Sequence, residues 1–442
     1  MRYRPRAAHT SLSAQHPRRR AAILVASLLL LLTACAFPGS SGTATAAHPQ
    51  AAGTPRAATP TPTPDPIIHP SVADTVSWEL AHMTLDEKLG QLFLIETGWT
   101  TYTQDVDTMV RGMHAGAMII YQQNMTDPAQ LKAYISAVQA NATIPLIVSM
   151  DEEGGVVDRL GALGFNPPQP AAQDLTASGD PHKAYAAGFA TAHEMKWYGI
   201  NTDLAPVVDV RTNPYAVEYT RIFGDDPTTV DRYAGAYING LSRFDVIACL
   251  KHWPGIGSVA LDPHKTLPTI DRSRDQLENT DFAAFRGLLS QQPGMIMVTH
   301  VIVNAIDPTM PATLSPKLVN GVLRGELGYQ GVVMTDSLYM QGIAERYSLP
   351  QAAVLSIEAG DDLLEGAFDT STMAGMLAAL HAAIDSGQIS MSRINQSVAR
   401  ILTLKASYGI LPLRGSHIQH IKTLPGGLSA GLDADLPHAQ RP

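Results

Sequence analysis

The chain is poor in cysteine, in aromatic residues and in charge. Of its 442 residues, 6% are aromatic, 16% charged and 45% hydrophobic, a composition typical of one large globular domain with flanking segments. Its two cysteines, Cys35 and Cys249, are not expected to form a structural disulfide. Cys35 ends a signal-like segment, and Cys249 lies in an apolar run that predicts a small buried side chain.

Acidic residues are missing from the first 34 positions, which hold six arginines. Removal of this segment would change the formal charge from −9 to −15. Such an acidic surface argues against nucleic acid as a partner and against a polybasic membrane-binding patch. A neutral or cationic substrate fits it better.

The N-terminal segment has the pattern of a secretory signal. Arginines at 18–20 precede the apolar run 21–32, which is shorter than the roughly 20 apolar residues that a membrane-spanning helix needs. Leu32-Thr33-Ala34-Cys35 resembles the bacterial lipoprotein box, in which the cysteine is lipidated. We therefore expect a signal peptide over 1–35, lipidation at Cys35, and a secreted lipoprotein held on the extracytoplasmic side by this anchor alone. The alternative is a plain signal peptide with a chance cysteine.

Composition divides the remaining chain into three parts. Residues 36–70 are rich in Ala, Gly, Ser, Thr and Pro, which predicts an extended tether. Residues 71–413 alternate apolar and amphipathic segments, and Thr84 and Glu87 predict a capping box at an early helix. Residues 414–442 lack periodicity and are predicted to be poorly ordered.

Short, nearly continuous apolar runs recur in the folded part. With helical patterns between them, such runs indicate buried parallel strands joined by crossover helices. Eight runs predict an α/β fold, a (β/α)8 TIM-like barrel that forms a single catalytic domain. The runs are 92–95, 117–121, 146–150, 202–208, 246–250, 295–299, 331–334 and 362–364.

Polar residues follow these runs directly. In a barrel this is the face where the loops after the strands build the active site, so the pattern predicts one shared pocket. The polar residues are Asp151, Glu152, Glu153, Asp209, Lys251, His252, His300, Asp336 and Glu365.

Asp336 follows the buried run Val332-Val333-Met334-Thr335. A carboxylate directly after a buried strand is held rigidly and suits a nucleophile that attacks an anomeric carbon. Taken alone, the same position fits a metal ligand or a helix N-cap equally well.

A loop segment rich in Gly and Pro, Lys251 to Gly257, leads to Asp262 and His264. A carboxylate two residues away can orient the histidine ring and raise its proton affinity, which makes His264 a candidate general acid/base. Two alternatives stay open. One is a plain exposed loop histidine; the other is a zinc site of His252, His264 and His300 with Asp336, which no HExxH or paired-cysteine spacing supports.

Asp151 begins a third segment, in which acidic residues, a Gly pair and Arg159 follow one another. Carboxylates accept hydrogen bonds from sugar hydroxyls and arginine donates to ring substituents, so the segment suits a sugar. A simple turn is the alternative. Arg221 is a further candidate donor, with a surface ion pair as the equal alternative.

Together these segments resemble glycoside hydrolase family 3, specifically its bacterial β-N-acetylhexosaminidase branch, from Met83 to about Gly366. The most specific motif is K-H-x-P-G-x-G-x(4)-D-x-H, met by Lys251 through His264. A second motif, V-x-T-D-x-L-x-M, places the family's nucleophile at Asp336 and closes at Met340.

The resemblance implies a role for each matching residue. It makes Asp336 the nucleophile, His264 the acid/base and Asp262 its partner. It also implies retaining hydrolysis of GlcNAc-bearing oligosaccharides or muropeptides, without a metal or organic cofactor, and it leaves the oligomeric state open. The implied sugar-binding residues are Asp151, Arg159, Arg221, Lys251 and His252.

Three positions depart from the pattern of the branch. Pro263 replaces the usual Ser, and because proline restricts its own φ and the preceding residue, we expect an altered Asp262–His264 hydrogen bond. Glu152 replaces the usual Gln and would shift the preference between an uncharged and a cationic sugar. Ile256 replaces the usual His.

The C-terminal part helps to choose among the branches of the family. Two-domain members take their acid carboxylate from a domain after the barrel, whereas about 76 residues follow Gly366, which we expect to form helix and tail. The hypothesis is therefore a retaining hydrolase that removes terminal β-linked N-acetylhexosamine. The alternatives are a β-glucosidase or β-xylosidase of the same family, and a sugar-binding lipoprotein with impaired catalysis.

Overall fold

The computed structural model of the protein describes residues 71–164 and 168–414. The signal peptide predicted over 1–35, the lipidation site Cys35 and the tether over 36–70 lie outside the described residues, as does the predicted tail beyond Arg414. No helix in the described ranges is long and apolar enough to cross a membrane.

The strands are short and almost all of their residues are buried, as expected for strands covered on both faces. They are β1 (Phe93–Glu96), β2 (Ala117–Ile119), β3 (Ile147–Met150), β4 (Thr202–Asp203), β5 (Ile247–Trp253), β6 (Thr269–Ile270), β7 (Met295–Val298), β8 (Ile302–Val303), β9 (Asp307–Pro311), β10 (Val332–Thr335) and β11 (Leu364–Ala367).

Eight parallel strands form one sheet in the order β10-β7-β5-β4-β3-β2-β1-β11. Its two edges meet where Met334 forms a parallel bridge with Leu363, and the Thr335 N–H donates to the Leu363 carbonyl at 3.0 Å. The sheet is thus nearly closed, which confirms the predicted (β/α)8 TIM-like barrel. Each of the eight predicted runs supplies one strand of this sheet.

Several strands differ in length from their predicted runs, and the differences at β4 and β5 affect the positions of polar side chains. β4 ends at Asp203, well short of position 208, and Pro206 in that run has no N–H for a strand ladder. β5 continues to Trp253, so Lys251 and His252 lie within the strand. Their side chains are therefore fixed by the barrel wall.

Helices alternate with the strands along the chain. They are α1 (Val72–His82), α2 (Leu85–Gly90), α3 (Gln104–Asp107), α4 (Pro128–Asn141), α5 (Ala172–Ala177), α6 (Pro181–Tyr198), α7 (Pro227–Leu241), α8 (Arg274–Asn279), α9 (Asp281–Leu288), α10 (Gln341–Ala344), α11 (Leu349–Ala359), α12 (Thr370–Asp385) and α13 (Met391–Ser407), with π-helical segments Thr108–Gly112 and Lys317–Glu326 and 3-10 turns Gln122–Asn124, Leu160–Leu163, Tyr219–Arg221, Ser242–Phe244, Leu289–Gln291 and Ala312–Leu314.

Local sequence explains where two of these helices begin and how they pack. The predicted capping box is confirmed at α2, where Thr84 Oγ1 accepts from the Glu87 N–H at 3.2 Å and Glu87 Oε2 accepts from the Thr84 N–H at 2.7 Å. Helices α6 and α7 approach closely because Gly188 lacks a side chain; a Cβ there would lie 2.2 Å from the Tyr237 carbonyl oxygen.

A small sheet of β6, β8 and β9 lies beside the barrel. β6 pairs in parallel with β8, with Thr269 opposite Ile302, and β8 follows closely on the end of β7. The loop between β5 and β6, which carries Asp262 and His264, is therefore anchored by a sheet at each end.

Candidate active site

One cavity of about 590 Å³ opens at the carboxyl ends of the barrel strands. Seven of the eight predicted site residues line it, and the eighth, Asp262, contacts the lining residue His264. The seven are Asp151, Arg159, Arg221, Lys251, His252, His264 and Asp336. Residues more than 180 positions apart in the sequence therefore share one pocket. Of the nine polar residues that the strand-end pattern predicted there, six line it, whereas Glu152, Asp209 and His300 do not.

Lys251 is fully buried and paired with two carboxylates. Its Nζ lies 2.7 Å from Asp151 Oδ1 and 2.6 Å from Glu153 Oε1. Arg159 Nη2 reaches the other oxygen of Asp151 at 3.2 Å. Burial alone would raise the pKa of Asp151, but Lys251 and Arg159 outweigh it and hold that pKa below its ordinary value.

Arg221 binds Glu153 in a bidentate arrangement, with Nε and Nη2 2.6 and 2.7 Å from the two carboxylate oxygens. Its remaining Nη1 pairs with Glu218. Although burial raises the pKa of Glu153, Lys251 and Arg221 together lower it well below the usual range. Arg221 therefore belongs to a buried network and is not a surface ion pair.

We call Asp151, Glu153, Arg159, Lys251 and Arg221 the cation-lined half of the cavity. Each acid in this half lies within ion-pair distance of a cation, and each cation lies within that distance of an acid. The outward-facing hydrogen-bonding capacity of these groups suits the hydroxyl groups of a sugar.

His252 lies next in β5 and is oriented by Asp209, whose Oδ2 is 2.9 Å from the ring Nδ1. Asp209 Oδ1 also accepts from the Ile256 N–H at 2.7 Å, which ties the start of the loop to the barrel. Burial by itself lowers the pKa of His252, but Glu218 and Asp209 outweigh it, so that pKa is raised. The carboxylates of Glu218 and Asp209 thus favour the protonated form of His252.

Asp336 lies directly after β10, as predicted. Thr299 Oγ1 donates to its Oδ2 at 2.8 Å and the Ser337 N–H donates to its Oδ1 at 2.9 Å. Burial alone would raise the pKa of Asp336, yet His300, His252 and His264 together bring it below its ordinary value. Asp336 is therefore a fixed, ionised carboxylate on the cavity wall.

His264 is 64% exposed at its side chain and lies on the loop between β5 and β6. Asp262 Oδ1 accepts from the His264 backbone N–H at 3.0 Å and lies 2.8 Å from the ring Nδ1. The hydrogen bond that Pro263 was expected to alter is therefore present, because the aspartate reaches forward past the proline in a compact turn. With Nδ1 bound to Asp262, Nε2 is left for proton transfer.

Two further carboxyl groups, Glu365 on the cavity wall and Glu96 beside the lining residues Tyr121 and Ser337, form no ion pair within the described part of the chain. Tyr121 donates to Glu365 Oε1 at 2.7 Å, and Ser337 Oγ donates to Glu96 Oε1 at 3.0 Å. Burial, together with the charges of Glu96 and Asp336, raises the pKa of Glu365 well above its ordinary value. Burial also raises the pKa of Glu96. We call Glu365 and Tyr121, which line the cavity, together with Glu96, which contacts Tyr121, the carboxyl-rich half.

Glu152 does not line the cavity, so it offers no direct contact through which to shift the preference between sugars. Its side chain is 0% exposed, and its Oε2 accepts from the backbone N–H groups of Arg159 and Leu160 at 2.8 and 2.9 Å. Burial raises its pKa to about 9. Glu152 holds the loop that presents Arg159, and its neighbour Glu153 is the acid that faces the cavity.

The zinc alternative is not assembled by the described residues. The group whose ligand atoms lie within 4.8 Å of one another there is Asp209, Glu218 and His252. His300 is instead held by Thr313 Oγ1 at 2.7 Å and by the Ser337 carbonyl at 2.9 Å. A carbonyl accepts only, so His300 donates through Nε2, and burial lowers its pKa.

Sequence reasoning assigned no role to several residues that line the cavity. Glu153 and Glu365 were noted only as polar residues near strand ends, and Tyr121 and Tyr339 were not considered. Glu96, which touches this group through Tyr121 and Ser337, also follows an apolar run directly. The pattern that identified Asp336, an acidic residue directly after an apolar run, is therefore also present at Glu96.

Comparisons with known proteins agree with this architecture. The chain is 36% identical over 281 residues to a beta-hexosaminidase of Alkalilimnicola ehrlichii, covering 62% of this chain and 80% of that protein. It is 30% identical over 333 residues to Beta-hexosaminidase A of Pseudoalteromonas piscicida, covering 69% of this chain. The alignment spans 56% of the length of that relative, little more than half.

A solved structure and a family model give the same assignment. A glycoside hydrolase family 3 beta-N-acetylglucosaminidase from Paenibacillus sp. str. FPU-7 matches with a TM-score of 0.70 and 34% identity, over 74% of this chain and 63% of that one. The family model described as the glycosyl hydrolase family 3 N terminal domain matches residues 84–404. The chain therefore belongs to glycosyl hydrolase family 3, as its motifs predicted.

Proposed function

We propose that the protein is a retaining β-N-acetylhexosaminidase, which removes terminal β-linked GlcNAc from oligosaccharides or peptidoglycan fragments. One observation carries the proposal: an ionised carboxylate, Asp336, and a histidine oriented by Asp262 border the same sugar-sized cavity. The relatives named beta-hexosaminidase and beta-N-acetylglucosaminidase support the choice of sugar.

Asp336 is the nucleophile. Its lowered pKa keeps it ionised at neutral pH, and the hydrogen bonds from Thr299 and Ser337 fix the direction of both oxygens. A carboxylate held in this way attacks the anomeric carbon while the bond to the leaving oxygen breaks, giving a covalent glycosyl-enzyme.

His264 is the acid and then the base. In the first step its ring gives a proton to the leaving oxygen; in the second it takes a proton from the water that attacks the glycosyl-enzyme and releases Asp336. Asp262 orients the ring and stabilises its protonated form. His264 lines the same cavity as Asp336, which supports its role at the glycosidic oxygen.

The cation-lined half holds the sugar in place for this attack. Lys251, Arg159 and Arg221 donate to its hydroxyl groups while Asp151 accepts from them. Because these four groups are already fixed by ion pairs, little side-chain entropy is lost when a sugar binds.

The test is release of p-nitrophenol from its β-N-acetylglucosaminide. Asp336→Ala should lower kcat/KM by about 10⁴-fold or more, because the nucleophile is lost. His264→Ala should lower it by about 10²- to 10⁴-fold, chiefly in deglycosylation and with poor leaving groups. Asp225→Ala, which removes an exposed carboxylate that pairs with Arg211, is the control and should change little.

Two other outcomes would replace the proposal. Hydrolysis of the β-glucoside in place of the β-N-acetylglucosaminide would make the protein a β-glucosidase of the same family. Binding of GlcNAc without turnover of either glycoside would make it a sugar-binding protein with impaired catalysis. A product released with inverted anomeric configuration would contradict the two-step mechanism.

We propose further that the protein is an extracytoplasmic lipoprotein anchored through Cys35. The support is in the sequence: a basic segment, an apolar run too short to span a membrane, Leu32-Thr33-Ala34-Cys35, and a Pro- and Thr-rich tether. Metabolic labelling with a fatty acid in a bacterial host should mark the wild type and not Cys35→Ala. Equal labelling of both, or of neither, would contradict the anchor.

A further inference from the structure

An exposed aromatic pair includes one residue of the cavity lining. Tyr339 lines the cavity and is 60% exposed, and Phe368 is 37% exposed. Their ring centroids are 5.0 Å apart at an interplanar angle of 65°, an edge-to-face pair. Contiguous exposed aromatic surface beside a polar cavity is a candidate packing surface for a ligand.

The pair belongs to a longer strip of the barrel rim. Tyr339 follows β10, Phe368 follows β11 and Trp99, which is 47% exposed, follows β1, and these three strands are neighbours. Trp99 Nε1 donates to Asp105 Oδ2 at 3.3 Å, and Asp105 Oδ1 accepts from the Thr370 N–H at 3.2 Å. The loops after β1 and β11 are thereby joined at the rim.

The strip lies beside the loop that carries the acid. The Gln341 N–H donates to the His264 carbonyl at 3.4 Å, and a Cβ on Gly342 would lie 3.2 Å from the Pro263 carbonyl oxygen. An acid that protonates the leaving oxygen must stand on the leaving-group side of the bond. Tyr339, two residues before Gln341, therefore borders the path of the leaving group.

Two exposed tryptophans elsewhere have their faces occupied. Trp197 on α6 has Lys132 Nζ 4.2 Å from its ring centroid, and Trp78 on α1 has the Arg414 guanidinium 3.3 Å away. Both lie on helices outside the barrel rim. The strip differs from them because its position next to the cavity gives a substrate access to its rings.

We propose that Tyr339 and Phe368, continued by Trp99, form a binding platform for the sugar ring of the leaving group. The apolar C–H face of a pyranose packs on aromatic rings, while its hydroxyl groups stay in water at the open mouth. The ligand class is an oligosaccharide with a pyranose on the reducing side of the scissile bond. The inference rests on the proposed glycosidase function, which supplies the leaving group.

The experiment compares two substrates that differ only in the leaving group: the β-1,4-linked disaccharide of GlcNAc and methyl β-N-acetylglucosaminide. Tyr339→Ala and Phe368→Ala should each raise KM for the disaccharide by about 2- to 10-fold. Turnover of the methyl glycoside, which has no leaving-group ring, should stay unchanged. Tyr339→Phe and Phe368→Tyr keep a ring and should restore the wild-type KM.

Trp197→Ala is the matched control, because it removes an exposed ring far from the cavity mouth and should affect neither substrate. Equal losses on both substrates would overturn the platform, since Tyr339 would then shape the site of the cleaved sugar. A raised KM for the disaccharide in Tyr215→Ala, with no change in Tyr339→Ala, would also overturn the platform. Tyr215 follows β4, across the barrel, so the leaving group would lie against the opposite rim.

Failure of the proposed function gives a different result from failure of the platform. If wild type cleaves neither glycoside, calorimetric titration with the same two sugars replaces kinetics. Tighter binding of the disaccharide than of the methyl glycoside, lost in Tyr339→Ala, would keep the platform while the glycosidase is rejected. Equal binding in wild type and Tyr339→Ala would reject the platform.

Discussion

The two halves of the cavity hold their carboxyl groups in opposite ways. In the cation-lined half, Lys251 and Arg221 surround Glu153, and its pKa is lowered although the side chain is buried. In the carboxyl-rich half, Glu365 is as deeply buried but its strong partner is a phenol, and its pKa is raised. Burial alone therefore does not decide the charge of an acid; the partner does.

This difference also separates the two halves in their response to pH. Asp151 and Glu153 remain ionised throughout the neutral range, so the charges that hold the sugar stay constant. Glu365 and Glu96 have raised pKa values and take up protons as the pH falls. We expect the pH dependence of folding near neutral pH to come from the carboxyl-rich half, whereas Asp336, with its lowered pKa, stays ionised there.

The largest effect should come from removing the charge of Lys251 from the cation-lined half. Lys251→Met leaves Asp151 and Glu153 buried with one partner fewer, and should lower the free energy of unfolding by about 3–5 kcal/mol. Lys265→Met is the matched control: Lys265 is exposed and 3.6 Å from Asp262, and its loss should cost less than about 1 kcal/mol. Urea unfolding measures both, and equal costs would contradict the distinction.

A substitution in the carboxyl-rich half should have a smaller effect of opposite sign, a gain in the free energy of unfolding. Glu365→Gln mimics the protonated carboxyl. The raised pKa of Glu365 means that its contribution to stability is present below the unfolded-state pKa and is lost as the pH rises toward the folded-state pKa. Relative to wild type, the free energy of unfolding of Glu365→Gln should therefore increase by up to about 1.4 kcal/mol for each pH unit above roughly pH 4.3.

Urea unfolding of wild type and Glu365→Gln at several pH values between 5 and 8 tests this prediction. Glu153→Gln is the control from the cation-lined half, since the same substitution there removes an ionised partner of Lys251 and should destabilise the protein throughout that range. A uniform loss of stability in Glu365→Gln, independent of pH, would show that Glu365 is ionised.

The smallest effect concerns the hydrogen bond from Tyr121 to Glu365. Tyr121→Phe should lower the free energy of unfolding by about 1 kcal/mol if the Glu365 carboxyl is neutral, and by about 1.5–3 kcal/mol if it is charged. Tyr134→Phe removes a buried hydroxyl that bonds Thr97 Oγ1 at 3.0 Å and serves as the neutral reference. A cost near 3 kcal/mol for Tyr121→Phe at pH 6 would place a full charge on Glu365.

Much of the fold was predictable because its signals are local. Each barrel strand is buried on both faces, so it appears in the sequence as a continuous apolar run, and the eight runs each supply a strand. Strand lengths were less predictable. The length of β5 depends on pairing with its neighbours β4 and β7, which no single run reveals.

The adjacent residues Glu152 and Glu153 show where site prediction failed. Both follow β3 and have the same side chain, yet one turns inward to backbone N–H groups and the other faces Lys251 and Arg221. The choice depends on the loop that follows, in which Gly154 and Gly155 adopt φ values of +76° and +60°. A sequence pattern does not fix which of two neighbours faces the cavity.

The sequence by itself determined the barrel, the position of Asp336 at a strand end and the Asp262–His264 pair, because burial patterns and a two-residue spacing act locally. Only the tertiary structure decided which residues meet in the carboxyl-rich half. Tyr121 and Glu365 are 244 residues apart and meet only because β1, between β2 and β11, brings their strands close together. Whether a carboxyl group finds a cation or a phenol depends on that closure, and so does its charge.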